Sequence, residues 1–100
     1  MNTAASKRET IAAAGLRRIR QPQERAWGPK DAATWADASG RYRLRHVRRA
    51  WGIELAPPVW HVLKLRRAPD GQLWLQLIGR HFSLTAALRT LRAAQRGDRP

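Results

Sequence analysis

The tetrapeptide Ala68-Pro69-Asp70-Gly71 stands between two runs rich in β-branched and aromatic residues, VWHVLKLRR (59–67) and LWLQLIGRHF (73–82). Proline presets φ for the second turn position and glycine takes the left-handed conformation at the end, so the segment predicts a β-hairpin. With the usual bulge at Gly71, Ala68 pairs with Gln72. The register then sets Leu65 opposite Leu75 and Leu63 opposite Leu77 on one face. On the other it sets Arg66 opposite Trp74, Lys64 opposite Gln76, Val62 opposite Ile78 and Trp60 opposite Arg80. A slip of one residue would exchange the two faces, so this register controls every further assignment.

The remaining elements are read around that hairpin. Ser83 is a good N-cap for a helix to about Arg96, in which Leu84, Ala87, Leu88, Leu91 and Ala94 form one apolar stripe. Gly97 ends it, and Arg92 and Arg96 oppose the negative end of the helix dipole. The stripe is expected to pack on the leucine face of the hairpin. Upstream, RYRLRHV alternates Tyr42, Leu44 and His46 against Arg41, Arg43 and Arg45, the pattern of a half-buried strand. A helix is the rival, since Leu44, Val47 and Trp51 are also helically spaced; the strand is preferred. Residues 6 to 20 read as a helix, with Ser6 and Glu9 as a capping box, Ile11, Ala12, Leu16 and Ile19 as its stripe and Gly15 as a weak point. Pro22 stops it, and Gln21 to Gly40 reads as a loop holding one short helix from Asp31 to Asp37.

The predicted fold is therefore α+β: a small antiparallel three-stranded sheet packed against a C-terminal helix, with an additional N-terminal helix. Residues 1–40 form a helix and a Trp-containing loop extension, 41–96 the basic β-β-β-α domain, and 97–100 a frayed tail. One hundred residues suffice for one such core.

Charge names the class of partner. Twenty Lys and Arg against seven Asp and Glu give +13, and residues 41–100 hold thirteen of the basic residues and three of the acids. A polyanion relieves such self-repulsion, and arginine, seventeen of the twenty, matches phosphate and guanine edges with a planar fork. A G+C-rich genome accounts for arginine over lysine but not for the scarcity of acids. The hairpin register gathers Trp60, Lys64, Arg66, Trp74, Gln76 and Arg80 on one face beside Arg41, Arg43 and Arg45, with Arg48, Arg49 and Arg67 flanking. Arginines there can hold phosphates and tryptophans can stack on bases. The alternative is a second small core of Trp60, Trp74 and Ile78 under the N-terminal helix. Catalysis has no support: Ser6 and Ser83 read as caps, His46, His61 and His81 lie far apart, His61 falls opposite Gly79 as a buried histidine, and no metal or cofactor motif is present. Cysteine is absent, no stretch is long enough to span a bilayer, and MNTAASKRETIAAAG lacks a signal-peptide core, so a cytoplasmic protein, at the nucleoid if it binds DNA, is expected.

The order of strands, Pro-Asp-Gly hairpin and amphipathic helix over 41–96 resembles the three-stranded-sheet-plus-helix DNA-binding domains of APETALA-type plant factors and the arm-binding domains of tyrosine integrases. The resemblance implies a sheet that enters the major groove, with Arg41, Arg43, Arg45, Trp60, Lys64, Arg66, Trp74 and Gln76 at the matching positions. The leading expectation is a non-enzymatic accessory or regulatory protein that binds double-stranded DNA, of a phage or mobile element. The alternatives are a protein-interaction module anchored by Trp27, Trp35, Trp51 and Trp60, and an RNA-binding protein that uses the five arginines of 41–49.

Overall fold

In the computed structural model the described residues are 3–19, 32–50 and 52–97. They form helix α1 (Thr3–Ala13), strands β1 (Arg17–Ile19), β2 (Ala33–Ala36), β3 (Tyr42–Ala50), β4 (Ile53–Arg67) and β5 (Leu73–His81), and helix α2 (Leu84–Gly97). The strands make one five-stranded antiparallel sheet in sequence order. The three-stranded sheet expected from sequence is thus corrected to five, and the class remains α+β.

The stop of α1 frees the first added strand, and pairing makes the second. Gly15, at φ +81°, ends α1: the Leu16 N–H donates to the Ile11 carbonyl at 3.3 Å and the Gly15 N–H to the Ala12 carbonyl at 3.0 Å. This is a Schellman stop, completed by the burial of Ile11 and Leu16 in one cluster. The predicted helix over 6–20 is therefore too long at its end, and Arg17–Ile19 begins the sheet. It also starts too late, because α1 already covers Ser6, which is no N-cap. The short helix expected over 31–37 is strand β2, in which Thr34 and Ala36 are buried and Ala33 and Trp35 half-buried. Pairing with β1 and β3 on either side overrides the helical preference of alanine there. The expected stop at Pro22 and the anchors Trp27 and Trp51 lie outside the described residues, as does 98–100 of the expected tail.

The turn at 68–71 forms as read. Ala68 N–H donates to the Gln72 carbonyl, Gly71 N–H to that of Ala68, both at 2.8 Å, and Gln72 N–H to the Asp70 carboxylate at 2.9 Å, with Gly71 at φ +88°. Arg66–Trp74, Leu65–Leu75, Lys64–Gln76 and Leu63–Leu77 pair as the bulged turn requires. Between Leu63 and Val62 the ladder shifts, so Val62 faces Gly79, His61 faces Arg80 and Trp60 faces His81, each one residue beyond its predicted partner. Ile78 is the extra residue. Pro57 and Pro58 do not end β4, because 55–58 fall where β3 offers only Arg48 between its pairs with Val59 and Glu54. No ladder N–H is lost to them there.

The helices cover the other face from the one expected. Buried Ala87, Leu88 and Leu91 of α2 join Tyr42, Leu44, Trp60 and Val62, together with Ile11 and Leu16, in one core cluster. The leucine face, with Leu63, Leu65, Leu75 and Leu77, looks away from α2. Ser83 Oγ accepts the Ala86 N–H at 3.2 Å and starts the helix, which runs back across the sheet until the Ala94 carbonyl accepts the Tyr42 hydroxyl at 3.0 Å. Asp37, buried at the β2–β3 turn, accepts from Tyr42 N–H, Ser39 Oγ and Gln95 Nε2 and so ties that turn to the end of α2.

Gly79 explains why α2 lies so close. A Cβ at that position would stand 2.8 Å from Thr90 Cγ2 and 3.0 Å from His81 Nε2, whose own hydrogen-bond partner is Thr90 Oγ1 at 2.7 Å. The substitution Gly79→Ala is expected to lower stability by about 1–3 kcal/mol through overpacking, read as a fall in the urea midpoint at unchanged slope. Adding Thr90→Ser, which removes the methyl and keeps the hydroxyl, should restore part of the loss.

Candidate nucleic-acid interface

Thirteen Lys and Arg side chains are exposed among the described residues, against three exposed carboxylates, Glu9, Glu54 and Asp70. Nine of the thirteen fall into three zones defined by the elements that carry them, and Lys7, Arg8, Arg17 and Arg80 lie outside these. At the hairpin tip, Arg66 and Arg67 end β4 and Arg41 precedes β3, its carbonyl accepting the Leu65 N–H at 2.7 Å. On α2, Arg89, Arg92 and Arg96 lie on the outward side, opposite the buried Ala87, Leu88 and Leu91. At the far end of the sheet, Arg18, Arg48 and Arg49 line a cleft of about 400 Å³ together with His46, Glu54 and the small walls Ala32 and Ala33.

The residues expected from sequence divide accordingly. Lys64, Arg66, Trp74 and Gln76 come together as read: Arg66 Nε donates to Gln76 Oε1 at 2.8 Å, Trp74 stays 46 % exposed beside them, and the Lys64 ammonium lies 5.6 Å from the Tyr42 ring. That group shares the face of α2, where the resemblance implied an open sheet face. Trp60 does not belong to a binding face: it is 4 % exposed in the core under the helices. Arg43 and Arg45 are corrected too. They pair with Leu63 and His61, so they stand on the leucine face, and both are buried, at 7 % and 2 % exposure. Arg45 Nε donates to Thr34 Oγ1 of β2 at 3.3 Å. Strand β3 lies inside the sheet, with β2 on one side and β4 on the other, which a three-stranded reading could not provide. Arg80 and Arg67 are exposed on that leucine side, and Arg48 and Arg49 are exposed at the cleft.

Of the third zone, sequence reasoning names Arg48 and Arg49 and misses Arg18 and His46. The sequence reading puts Arg18 on a helix and His46 on a strand flanked by the hairpin alone, whereas pairing of Arg18 with Trp35 and of Ala33 with His46 brings both to one end. A run of rings follows. The Arg18 guanidinium lies 5.3 Å from the Trp35 ring, Trp35 is 6.0 Å from Trp60, and Trp60 stacks on His46 at 4.0 Å and 15°. A guanidinium–indole contact of this kind is attractive by about 0.5–1 kcal/mol at an exposed site. The sequence signal was the Gly15-Leu16 stop, which frees Arg18 from the helix. The outward arginines of α2 are legible from their spacing, and the sequence reading assigns Arg92 and Arg96 to the helix dipole.

Two histidines titrate low. Burial is the main cause for His46, reinforced by the positive charges of Lys7 and Arg48; for His61 it is burial again, with Arg80 and Arg45. No family model matches the chain, and no curated protein or solved structure matches it either. No helix among the described residues is long and apolar enough to cross a membrane.

A lowered histidine pKa in the folded state means that the unfolded chain binds more protons as pH falls below its ordinary value near 6.5. Stability should therefore be level above pH 7 and decline from about 6.5 downward until the lowered values are passed. Thermal midpoints measured from pH 8 to 5 should fall less steeply in His46→Gln and His61→Gln than in the parent. An unchanged profile in both variants contradicts the assignment.

Proposed function

We propose that this protein binds nucleic acid, duplex DNA in preference to RNA, as a non-catalytic accessory or regulatory protein. The excess of thirteen exposed basic side chains over three exposed carboxylates carries the reading. Surface charge of that sign attracts the phosphate backbone, and the bound counterions it releases supply most of the non-specific affinity. The outer side of α2 favours a duplex. Arg89, Arg92 and Arg96 follow each other at three and four residues, rising about 10 Å along one side of a helix that carries no acid. A helix fits the major groove, roughly 12 Å wide. The apolar side of α2 is fixed on the sheet, so its arginines are presented on a rigid support. The hairpin tip adds Arg66, Arg67 and the exposed Trp74 as a second contact.

The tryptophan-anchored interaction module loses two of its four anchors, because Trp60 is in the core and Trp35 packs against it. Among the described residues, two groups weighed for catalysis already have structural partners. Ser83 caps α2 and His81 is engaged by Thr90.

Fluorescence anisotropy with a labelled duplex and with single-stranded RNA, over a series of salt concentrations, tests the proposal. The expected result is duplex binding whose log affinity falls linearly with log salt, with a slope of about −4 to −6 for five or six phosphate contacts. The triple variant Arg89→Gln, Arg92→Gln, Arg96→Gln should reduce the slope by about 2 to 3. Absence of duplex binding at low salt, or affinity indifferent to salt, overturns it; stronger binding of the RNA overturns the preference for duplex.

A further inference from the structure

The cleft at the end of the sheet collects more basic groups than packing requires. Three exposed guanidiniums, Arg18, Arg48 and Arg49, line it with His46 and Glu54. Each is brought there by a separate device. Arg18 comes from β1 and leans on Trp35, Arg48 is the single β3 residue that faces the insert 55–58 of β4, and Arg49 stands opposite Glu54 in the register. Ala32 and Ala33 leave the space open, and its volume of about 400 Å³ is that of a small-molecule site at the lower end of the usual range, roughly 300–1,000 Å³.

We propose that this cleft binds the phosphate of a nucleotide-sized phosphomonoester, held by Arg18, Arg48 and Arg49 beside the His46 ring. Charge argues for the monoester over a diester. The three guanidiniums less the Glu54 carboxylate leave a formal charge of +2, to which Lys7, close enough to act on His46, adds; a phosphomonoester, close to −2 at neutral pH, neutralises more of it than a single phosphodiester does. His46 does not alter that count, because burial and the charges of Lys7 and Arg48 keep its ring neutral at pH 7. Guanidinium forks pair with phosphate oxygens two at a time, so three of them saturate one phosphoryl group. The volume beyond that group is room for the sugar and base. The site stands apart from α2 and the hairpin tip, so it goes beyond the nucleic-acid reading and does not depend on it.

The test is an NMR titration of the full chain at constant ionic strength with three probes: inorganic phosphate, adenosine 5′-monophosphate, and a dinucleotide whose only phosphate is the internal diester. The expected result is that both monoester-type anions shift the His46 ring and the amides of 46–49 and 54, with the nucleotide at least tenfold tighter than the dinucleotide. Arg48→Gln with Arg49→Gln should weaken the nucleotide tenfold or more, and Arg18→Gln alone should weaken it measurably. Arg89→Gln with Arg92→Gln should not. Equal affinity for monoester and diester, shifts spread evenly over the exposed arginines, or full binding by the double cleft variant each overturns the proposal. Duplex binding that persists while the nucleotide leaves the cleft resonances unmoved overturns this proposal alone. Loss of duplex binding with the nucleotide titration intact overturns the nucleic-acid reading alone.

Discussion

The bulge at Ile78 governs what this molecule shows to solvent. A hairpin that began with Leu65 opposite Leu75 and stayed regular would set Val62 against Ile78 and Trp60 against Arg80, but the extra residue sets them against Gly79 and His81. Glycine then falls where α2 crosses, with no Cβ to hold Thr90 away, and His81 falls where Thr90 can bond it. The helix seats its stripe on Tyr42, Leu44, Trp60 and Val62. From that seat follow the outward direction of Arg89, Arg92 and Arg96 and the tie from Gln95 to the buried Asp37.

The second constraint is the width of the sheet. With β2 beside it, β3 is an interior strand whose side chains are covered from both flanks, so alternation along RYRLRHV no longer separates an inside from an outside. Tyr42 and Leu44 are buried under the helices, and Arg43 and Arg45 are buried on the opposite face. Burying a guanidinium is costly without partners, and Thr34 supplies one to Arg45. The described basic residues left exposed are those at strand ends, at the hairpin tip and on the two helices.

The legible parts of the sequence were those with local causes. The Pro-Asp-Gly turn, its register as far as Leu63, the Ser83 cap and the apolar stripe of α2 depend on residues within a few positions of one another, and all four are present. The choice of face was not legible. Both faces of the hairpin carry apolar residues, and only the bulge, the glycine and the third partner Tyr42 decide between them. Strands β1 and β2 were hidden for a related reason: three or four residues of mixed propensity acquire their conformation from pairing. Gly15 could have been read as a helix stop from the Ile11, Gly15, Leu16 spacing, and with that reading Arg18 would have left the helix. The cleft could not have been, since its parts come from β1, β2, β3 and β4.

The seat of α2 on the Trp60 side is the claim on which the exposed surface rests. Nuclear Overhauser contacts in the folded chain measure it directly, since they report protons within a few ångströms of one another. Contacts from the Thr90 methyl to the Gly79 α-protons, and from the Tyr42 ring to Ala94, are the expected result. Contacts from the α2 leucine methyls to Leu65 and Leu77, with none between Thr90 and Gly79, would place the helix on the opposite face and contradict the account.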